Sequence, residues 1–565
     1  MSLAENDLFD VRRATSATGL LHDFNAAGVL DAADVHVARR LAALAGDPDE
    51  QVALAAALAV RGPRLGHVYV DLATIRQTAT VDAEEAVDLS ALAWPAVAQW
   101  TERLQASGLV AVGEEGGSNR PLRLVGTSLY LDRYWREERQ IATDLQALGA
   151  QAPADVDEDV LADGLARLFP GDADERQRLA SAAAVRHRFA VVAGGPGTGK
   201  TTTVARIVAL LAEQAEAAGR PEPLIALAAP TAVAAARLEE AVHDAAEGLD
   251  ASDAVRAQLR EARASTLHRL LGWRPDSQSR FRHHRGNRLP HDVVIVDETS
   301  MVSLSQMARL LEAVRPQARL VLVGDPGQLT SIEAGAVLGD IVGPADEGAP
   351  DDGSPSAGIV VLSRVHRFGG AIGAVAEAVR RGDADAAVQA LSTSPDEVTW
   401  LPVDPETDSA LAPVHDGAVG AARAVIEAAR RGDAHRALEA LSSFRVLCAH
   451  RRGPYGVATW TDRIERWLAN EVEGFGAEGQ WYVGRPLLVT ENDYGLRLYN
   501  GDTGVVVATD TGRVSAAFER RGELIEFSPT RLAAVESVYA MTVHKSQGSQ
   551  FAAAAVLLPD PTSQI

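Results

Sequence analysis

Gly194–Thr201 reads GGPGTGKT, a full G-x-x-x-x-G-K-[ST] pattern, and no other stretch restricts the fold so severely. It lies between the apolar run FAVVA and the helical run TTTVARIVALLAEQ. A glycine-rich loop in that position turns backbone amides toward a phosphate, and the N-terminus of the following helix adds a favourable dipole. Lys200 then reaches the outer phosphates and Thr201 offers a hydroxyl to Mg²⁺, so a nucleoside triphosphate is the expected ligand. The order strand, loop, helix predicts an α/β domain.

Three further runs carry the same buried-strand signature: LIALAAP, VVIVDE and RLVLVGD. They alternate with alanine-rich helical stretches, which predicts a parallel sheet. Asp297 and Glu298 end the second of these strands. An acid pair there suits Mg²⁺ coordination by the first member and water activation by the second, which is hydrolysis chemistry. The next strand delivers Asp325 and, within PGQL, Gln328. A glutamine at that point can hydrogen-bond a γ-phosphate or the attacking water without titrating.

With 565 residues, the chain is expected to hold about three to five domains. Residues 1 to about 165 read as helical and carry no recognisable chemistry. Within them, LYLDRYWREERQIATDLQAL (129–148) puts Leu131, Trp135 and Ile141 on one stripe, with Arg136, Glu137, Glu138 and Arg139 mostly opposite. This is either a core helix of the first domain or a partner-binding face. EAVRRGDADAAVQALS (377–392) recurs as EAARRGDAHRALEALS fifty residues later. Each copy predicts a helix ending at Gly382 or Gly432, with Asp383 or Asp433 capping the next. Segments 344–358 and 402–409 read as loops, 485–514 as a small β-barrel or curled sheet, and 538–559 as strand, loop and strand.

A net charge of -23 excludes a protein-wide positive field, so any nucleic-acid contact must rest on a local groove or on partners. RFRHHRGNR (280–288) is the densest basic stretch, either a phosphate contact or a solvated loop. His283 and His284 lack a carboxylate or cysteine at ligand spacing. The single cysteine, Cys448, excludes a disulfide framework and a multi-cysteine metal site, and a reducing, cytoplasmic compartment is expected. The N-terminus lacks the order of a signal peptide, and no apolar run is long enough to span a membrane.

The remaining motifs complete an ordered set. ERQ, ending at Gln177, resembles an adenine-reading Q motif; APTAVAAARL (229–238) resembles motif Ia and STLHRLLG (265–272) motif Ib. VGDPGQLTSIEAGAVLGD (323–340) resembles motif III and its continuation, LSRVHRF (362–368) motif IV, and AMTVHKSQGSQF (540–551) motif V. Together with the P-loop and VVIVDE they resemble superfamily 1 helicases, with the best match in the RecD family, the α-subunits of RecBCD enzymes (exodeoxyribonuclease V). The likeness covers about 166–560, plus LYLDRYWREE in the first domain.

The resemblance implies two RecA-like motor domains with ATP in the cleft between them, an N-terminal helical, partner-binding domain and a small SH3-like β insert. The expected boundaries are 1–165 for the N-terminal domain, 166–368 for the first motor domain, 369–483 with 536–565 for the second, and 484–535 for the insert. It also implies an ATP- and Mg²⁺-dependent motor moving 5′ to 3′ on single-stranded DNA, acting on DNA ends with RecB-like and RecC-like subunits in double-strand-break repair. The implied catalytic residues are Lys200, Asp297, Glu298, Gln328 and Arg367, the last as the γ-phosphate arginine. Gln177, Gly195, Gly197, Thr198, Gly199, Lys200, Thr201 and Thr202 would hold the nucleotide, and Thr201 with Asp297 the metal. Pro230, Thr231, Thr266, His268, Thr542, His544 and Lys545 would line the DNA track. In the insert, Asp493, Tyr494, Arg497 and Tyr499 either approach a departing strand or, for the tyrosines, fill the barrel's own core.

The chain also departs from the family pattern. Ala232 and Val233 replace the Gly and Lys usual in motif Ia, His366 stands where many relatives place a tyrosine, and Gln550 replaces a glutamate in motif V. No motif VI precedes the end at PDPTSQI, and the otherwise complete chemistry leads us to expect a shortened sequence rather than a crippled motor. A stand-alone RecD-like helicase and a nucleotide-binding structural subunit are the alternatives. A nuclease reading lacks a clustered Asp, Glu and Lys constellation outside the motor motifs.

Overall fold

Short apolar runs become parallel strands where helices can cover both faces of the sheet, and the computed structural model follows that rule. It describes residues 10–81, 89–115, 119–151, 153, 156–171, 175–274, 277–329, 334–343, 358–362, 370–393, 397–401, 408–451, 453–476, 479–493, 495–520 and 523–558. Arg367, Tyr494 and most of the loops predicted at 344–358 and 402–409 lie outside these residues. The described residues fall into two units, one formed by 10–230 and 241–362, the other by 231–240 and 370–558.

In the first unit, helices Gly19–Ala26, Ala32–Ala45 and Glu50–Arg64 form the N-terminal core. Asp49 starts the third helix by accepting from the amides of Gln51 and Val52, and Val52 to Ala59 are all buried. Alanine-rich faces allow that close approach. The region is not purely helical, contrary to the sequence reading. It holds a four-stranded sheet of β1 (Tyr69–Asp71), β2 (Val110–Val112), β3 (Leu122–Val125) and β4 (Ser128–Leu131), in the order β1-β4-β3-β2. Strands of three or four residues are too short to show an alternating pattern.

The sheet is locked by a buried ion pair. Arg123 Nε donates to Asp132 Oδ1 at 2.7 Å, with side chains 1% and 5% exposed. Asp132 opens the helix Asp132–Gly149, which leaves the N-terminal core. Trp135 is buried edge-on against Tyr130 of β4, whereas Ile141 and Leu148 join the core around Met307 and Leu311 of the helix Leu304–Ala313. Glu137, read from the sequence as facing outward, is buried: it accepts from Ser305 Oγ and pairs with Arg309 at 3.4 Å. The helix thus ties the N-terminal sheet to the core around Met307 and Leu311.

The larger sheet contains β5 (Phe189–Gly194), β6 (Ile225–Ala229) and β7 (Ala264–Thr266). A hairpin of β8 (Trp273–Arg274) and β9 (Ser277–Phe281) follows outside it. β10 (Val293–Val296), β11 (Arg319–Gly324) and β12 (Ile359–Leu362) complete six parallel strands ordered β12-β5-β11-β10-β6-β7. The four strands read from sequence are β5, β6, β10 and β11.

The second unit contains both copies of the repeated hairpin, Gly370–Arg380 with Ala384–Thr393, and Ala412–Arg430 with Ala434–Leu441. Gly382 and Gly432 take φ of 68° and 74°, and Asp383 and Asp433 cap the amides of Ala386 and Arg436 at 3.0 and 3.1 Å, as predicted. β13 (Phe444–Cys448) lies under the helices Ala412–Arg430 and Val457–Glu471. A five-stranded antiparallel sheet follows: β14 (Pro486–Val489), β15 (Thr503–Ala508), β16 (Val514–Arg520), β17 (Glu523–Phe527) and β18 (Val535–Ser537). β19 (Ala540–Thr542) and β20 (Ala553–Leu557) return to flank β13 in parallel. Among the described residues, no helix is long and apolar enough to cross a membrane.

Breaking a buried ion pair from one side costs up to about 3–5 kcal/mol, less where, as here, Arg136 also pairs with Asp132. Arg123→Ala is therefore expected to destabilise the first unit by about 1–3 kcal/mol in urea denaturation, with Arg136 still beside Asp132, and Arg123→Met with Asp132→Leu to recover most of it.

Candidate active site

β5, β11 and β10 are neighbours in the parallel sheet, so the segments that follow them emerge at one edge. The P-loop follows β5, Asp297 and Glu298 follow β10, and Asp325 to Gln328 follow β11. Ligands of open α/β sheets gather outside the carboxyl ends of the strands, and the sequence-predicted catalytic residues in this unit converge there.

Gly197 and Gly199 adopt φ of 76° and 82°, a region closed to most side chains. Gly199 has a second constraint, since a Cβ there would fall 2.3 Å from Gln177 Nε2. That amide donates to Thr198 O at 3.0 Å, while Gln177 Oε1 accepts from Arg206 Nη1 at 3.0 Å. Gln177 is 6% exposed and sits against the loop as a brace. Arg206 lies over the ring of the buried Phe169 at 4.4 Å. No motif flags Arg206 or Phe169, and sequence reading missed both. Thr198 Oγ1 donates to Gly195 O at 2.8 Å, and Thr201 and Thr202 stand in the first turn of the helix Lys200–Ala217.

Lys200 Nζ donates to the carbonyls of Gly194 and Gly195 at 2.7 and 2.9 Å. Asp297 is buried, and burial pushes its carboxyl above the usual range against the opposing effects of the Glu298 amide and the Lys200 ammonium. A buried carboxylate at the end of β10 and a threonine hydroxyl in the first turn of the P-loop helix are hard-oxygen donors of the kind that suits Mg²⁺. Glu298 is half-buried with φ of 50°, an unusual backbone for a non-glycine residue. Gly324 permits a close approach there, because a Cβ on it would meet the amides of Thr299 and Ser300 at 3.1 and 3.2 Å. Asp325 Oδ1 accepts from Gly327 N at 2.9 Å and its carbonyl from Gln328 N at 3.2 Å, which closes the turn bearing Gln328.

The predicted track residues divide between the units. Pro230, Thr266 and His268 belong to the first, and Thr231, Thr542, His544 and Lys545 to the second. The three threonines share a local geometry: their hydroxyl oxygens accept from the amides of Ala234, Arg269 and Lys545, at 3.2, 3.2 and 3.3 Å. A hydroxyl that accepts one bond keeps its proton for a phosphate oxygen. His268 is exposed, tilted against Phe281, with Nδ1 3.3 Å from Gln306 Nε2. Burial and Arg451 hold the His544 imidazole below its usual range, which favours the neutral ring.

In the small antiparallel sheet, Asp493 Oδ1 accepts from the amides of Gly495 and Leu496, shaping a tip that carries the exposed Arg497 at φ of 57°. Tyr499 is half-buried with the Arg520 guanidinium 5.1 Å from its ring. The basic stretch 280–288 is tied to its own unit: Arg285 pairs with Asp144 at 2.7 Å and Asn287 Nδ2 donates to Arg282 O at 2.9 Å.

Comparison with known proteins gives matches to two families and to several relatives. Residues 26–130 match the family described as RecBCD enzyme subunit RecD, N-terminal domain, and residues 177–334 match the family described as AAA domain. The chain is 51% identical over 539 residues to RecBCD enzyme subunit RecD of Mycolicibacterium smegmatis, covering 95% of this chain and 90% of that protein. It is 49% identical to the subunit of the same name from Mycobacterium tuberculosis, covering 99% and 91%. The ATP-dependent RecD2 DNA helicase of Deinococcus radiodurans is 30% identical over 75% of this chain but only 50% of that protein. The end-to-end matches and the N-terminal match point the same way: the chain belongs to the RecD subunit family of RecBCD enzymes.

Proposed function

We propose that this chain is the ATP-driven, 5′ to 3′ single-stranded DNA motor of a RecBCD-type complex that processes DNA ends in double-strand-break repair, assembled with RecB-like and RecC-like subunits. The observation that carries this reading is the edge of three neighbouring strands bearing a P-loop, an Asp–Glu pair and an Asp–Gln turn, in a chain related to RecD subunits along nearly its full length. The match to half of RecD2 makes a stand-alone helicase the weaker reading.

In this reading the P-loop amides and Lys200 grip the phosphates, with Gln177 keeping the loop in shape. Thr201 and Asp297 would hold Mg²⁺, which when bound neutralises charge developing on the phosphates. Glu298 orients the attacking water and takes its proton as the new oxygen–phosphorus bond forms and the bond to the leaving diphosphate breaks. Gln328 monitors the γ-phosphate position, and Arg367 is assigned to stabilise the charge of the transferring group. Thr231, Thr266 and Thr542, with Pro230, His268, His544 and Lys545, contact the strand through its phosphates, which needs no strongly basic surface.

The domain limits stay close to 1–165, 166–368, 369–483 with 536–565, and 484–535, with one refinement. The helix Asp132–Gly149 packs in the core of the P-loop sheet, so a removable partner-binding region ends before Asp132. The sheet of β14–β18, which runs to Ser537, two residues past the expected limit, is assigned as the SH3-like insert.

Lys200→Ala and Glu298→Gln are both expected to abolish DNA-stimulated ATP hydrolysis while the fold survives, because both side chains act on phosphate or water rather than on a core. Glu298→Gln should still bind ATP. Turnover near the parental rate in either variant, at saturating single-stranded DNA, would remove these assignments. Deleting residues 1–125 is expected to release the chain from its RecB-like and RecC-like partners in co-purification; retention of the deleted chain in the complex would overturn the docking role. Tyr494→Ala with Arg497→Ala should slow unwinding more than it slows ATP hydrolysis if a strand passes the tip, since base stacking contributes about 1–3 kcal/mol per base. Equal losses in both activities would assign these residues to the sheet's own stability.

A further inference from the structure

All but two of the 54 lysine and arginine residues of this chain are arginine. The two lysines are Lys200 and Lys545. With arginine at every other Lys/Arg position, each of the two lysines raises the question of what a compact ammonium does there that a guanidinium would not. For Lys200 the reason is visible, because the P-loop requires a compact, rotatable point charge. Lys545 is the second such position.

Its surroundings suggest what that task is. Lys545 lies in the short turn His544–Ser546 that follows β19, with its amide tied to Thr542 Oγ1. Its Nζ stands 3.6 Å from Glu536 Oε2, with side chains 35% and 67% exposed. Glu536 is the middle residue of β18 and pairs with Leu488 of β14, so the carboxylate is presented by the small antiparallel sheet. Among the described residues, no other carboxylate lies within ion-pair distance of that ammonium. The separation is too long for a hydrogen bond, and an exposed ion pair of this kind is weak and screened by salt. It holds the ammonium near the sheet without committing it there.

We propose that Glu536 is a displaceable counter-ion for Lys545: a DNA phosphate takes its place when a strand is engaged, and the carboxylate recaptures the ammonium when the strand moves on. This rests on the reading of Lys545 as a track residue. It also explains the choice of lysine. A guanidinium would meet the Glu536 carboxylate with a two-pronged pair and stay bound to it, whereas a single ammonium exchanges easily between a carboxylate and a passing phosphate. Glu536 is then a positioning residue that acts through Lys545, and the small sheet takes part in setting the grip on DNA.

The test is the affinity of the full chain for a fluorescein-labelled oligothymidylate, measured by anisotropy at low and moderate salt. Lys545→Ala should weaken binding. Glu536→Gln should tighten it by about two- to fivefold at low salt, the range for losing one exposed competitor, and the gain should fade as salt rises. In a Lys545→Ala background Glu536→Gln should change affinity by less than about half that factor. Lys545→Arg should bind more weakly than the parent, and adding Glu536→Gln should restore it. Parental affinity in Lys545→Ala would sink the track reading itself. If Lys545→Ala weakens binding but Glu536→Gln has no effect, or tightens binding equally without Lys545, Glu536 is no counter-ion and only this proposal falls. Failure of Glu536→Gln to rescue Lys545→Arg overturns the account of why lysine is kept.

Discussion

A phosphate can be bound by backbone amides only if the backbone is held open, and in this chain that condition is met by glycine conformation together with one buried side chain. Gly197 and Gly199 take the positive φ that the loop needs, and Gln177 fixes the result by donating to Thr198 from below. Arg206 and Phe169 in turn fix Gln177. The loop is thus braced from the helices Glu175–Arg186 and Lys200–Ala217, which flank β5 in the chain. Preorganisation of this kind lets the amides meet charge without reorganising at the moment of reaction.

The electrostatic design follows from the same economy. A chain with a net charge of -23 cannot attract DNA as a whole, so its contacts have to be short-ranged and directional. In the proposed track, threonine hydroxyls that each accept one bond from a backbone amide would suit that purpose, because their orientation is set beforehand. The buried Asp297 is the complementary case, a carboxylate whose charge is costly until a cation shares it.

Legibility in the sequence tracked contact range. The strands β5, β6, β10 and β11 were plain because each is an uninterrupted apolar run, and Gly382 with Gly432 marked the hairpin turns because only glycine takes that backbone cheaply. The P-loop and the acids after β10 and β11 were legible for a related reason, since their spacing is fixed by one strand–loop–helix unit. The four strands of the N-terminal sheet were hidden by their brevity. Glu137 was misread because helical periodicity cannot tell a polar face turned to water from one turned to Ser305 and Arg309. Arg206 and Phe169 were invisible because their partnership is made in three dimensions across a long stretch of chain.

The helix Asp132–Gly149 begins in an ion pair with β3 and ends in the core beneath the parallel sheet. The helix completes only the second core, but its ion pair with β3 and the packing of Trp135 on Tyr130 tie that core to the N-terminal sheet, so the two sheets are not two beads on a string. They form one cooperative body, in which loosening either end of the shared helix lowers the melting of both. A ligand held at the P-loop would therefore lend stability to the N-terminal sheet, and a partner bound to that sheet would do the same in reverse, by linkage through a common folding equilibrium.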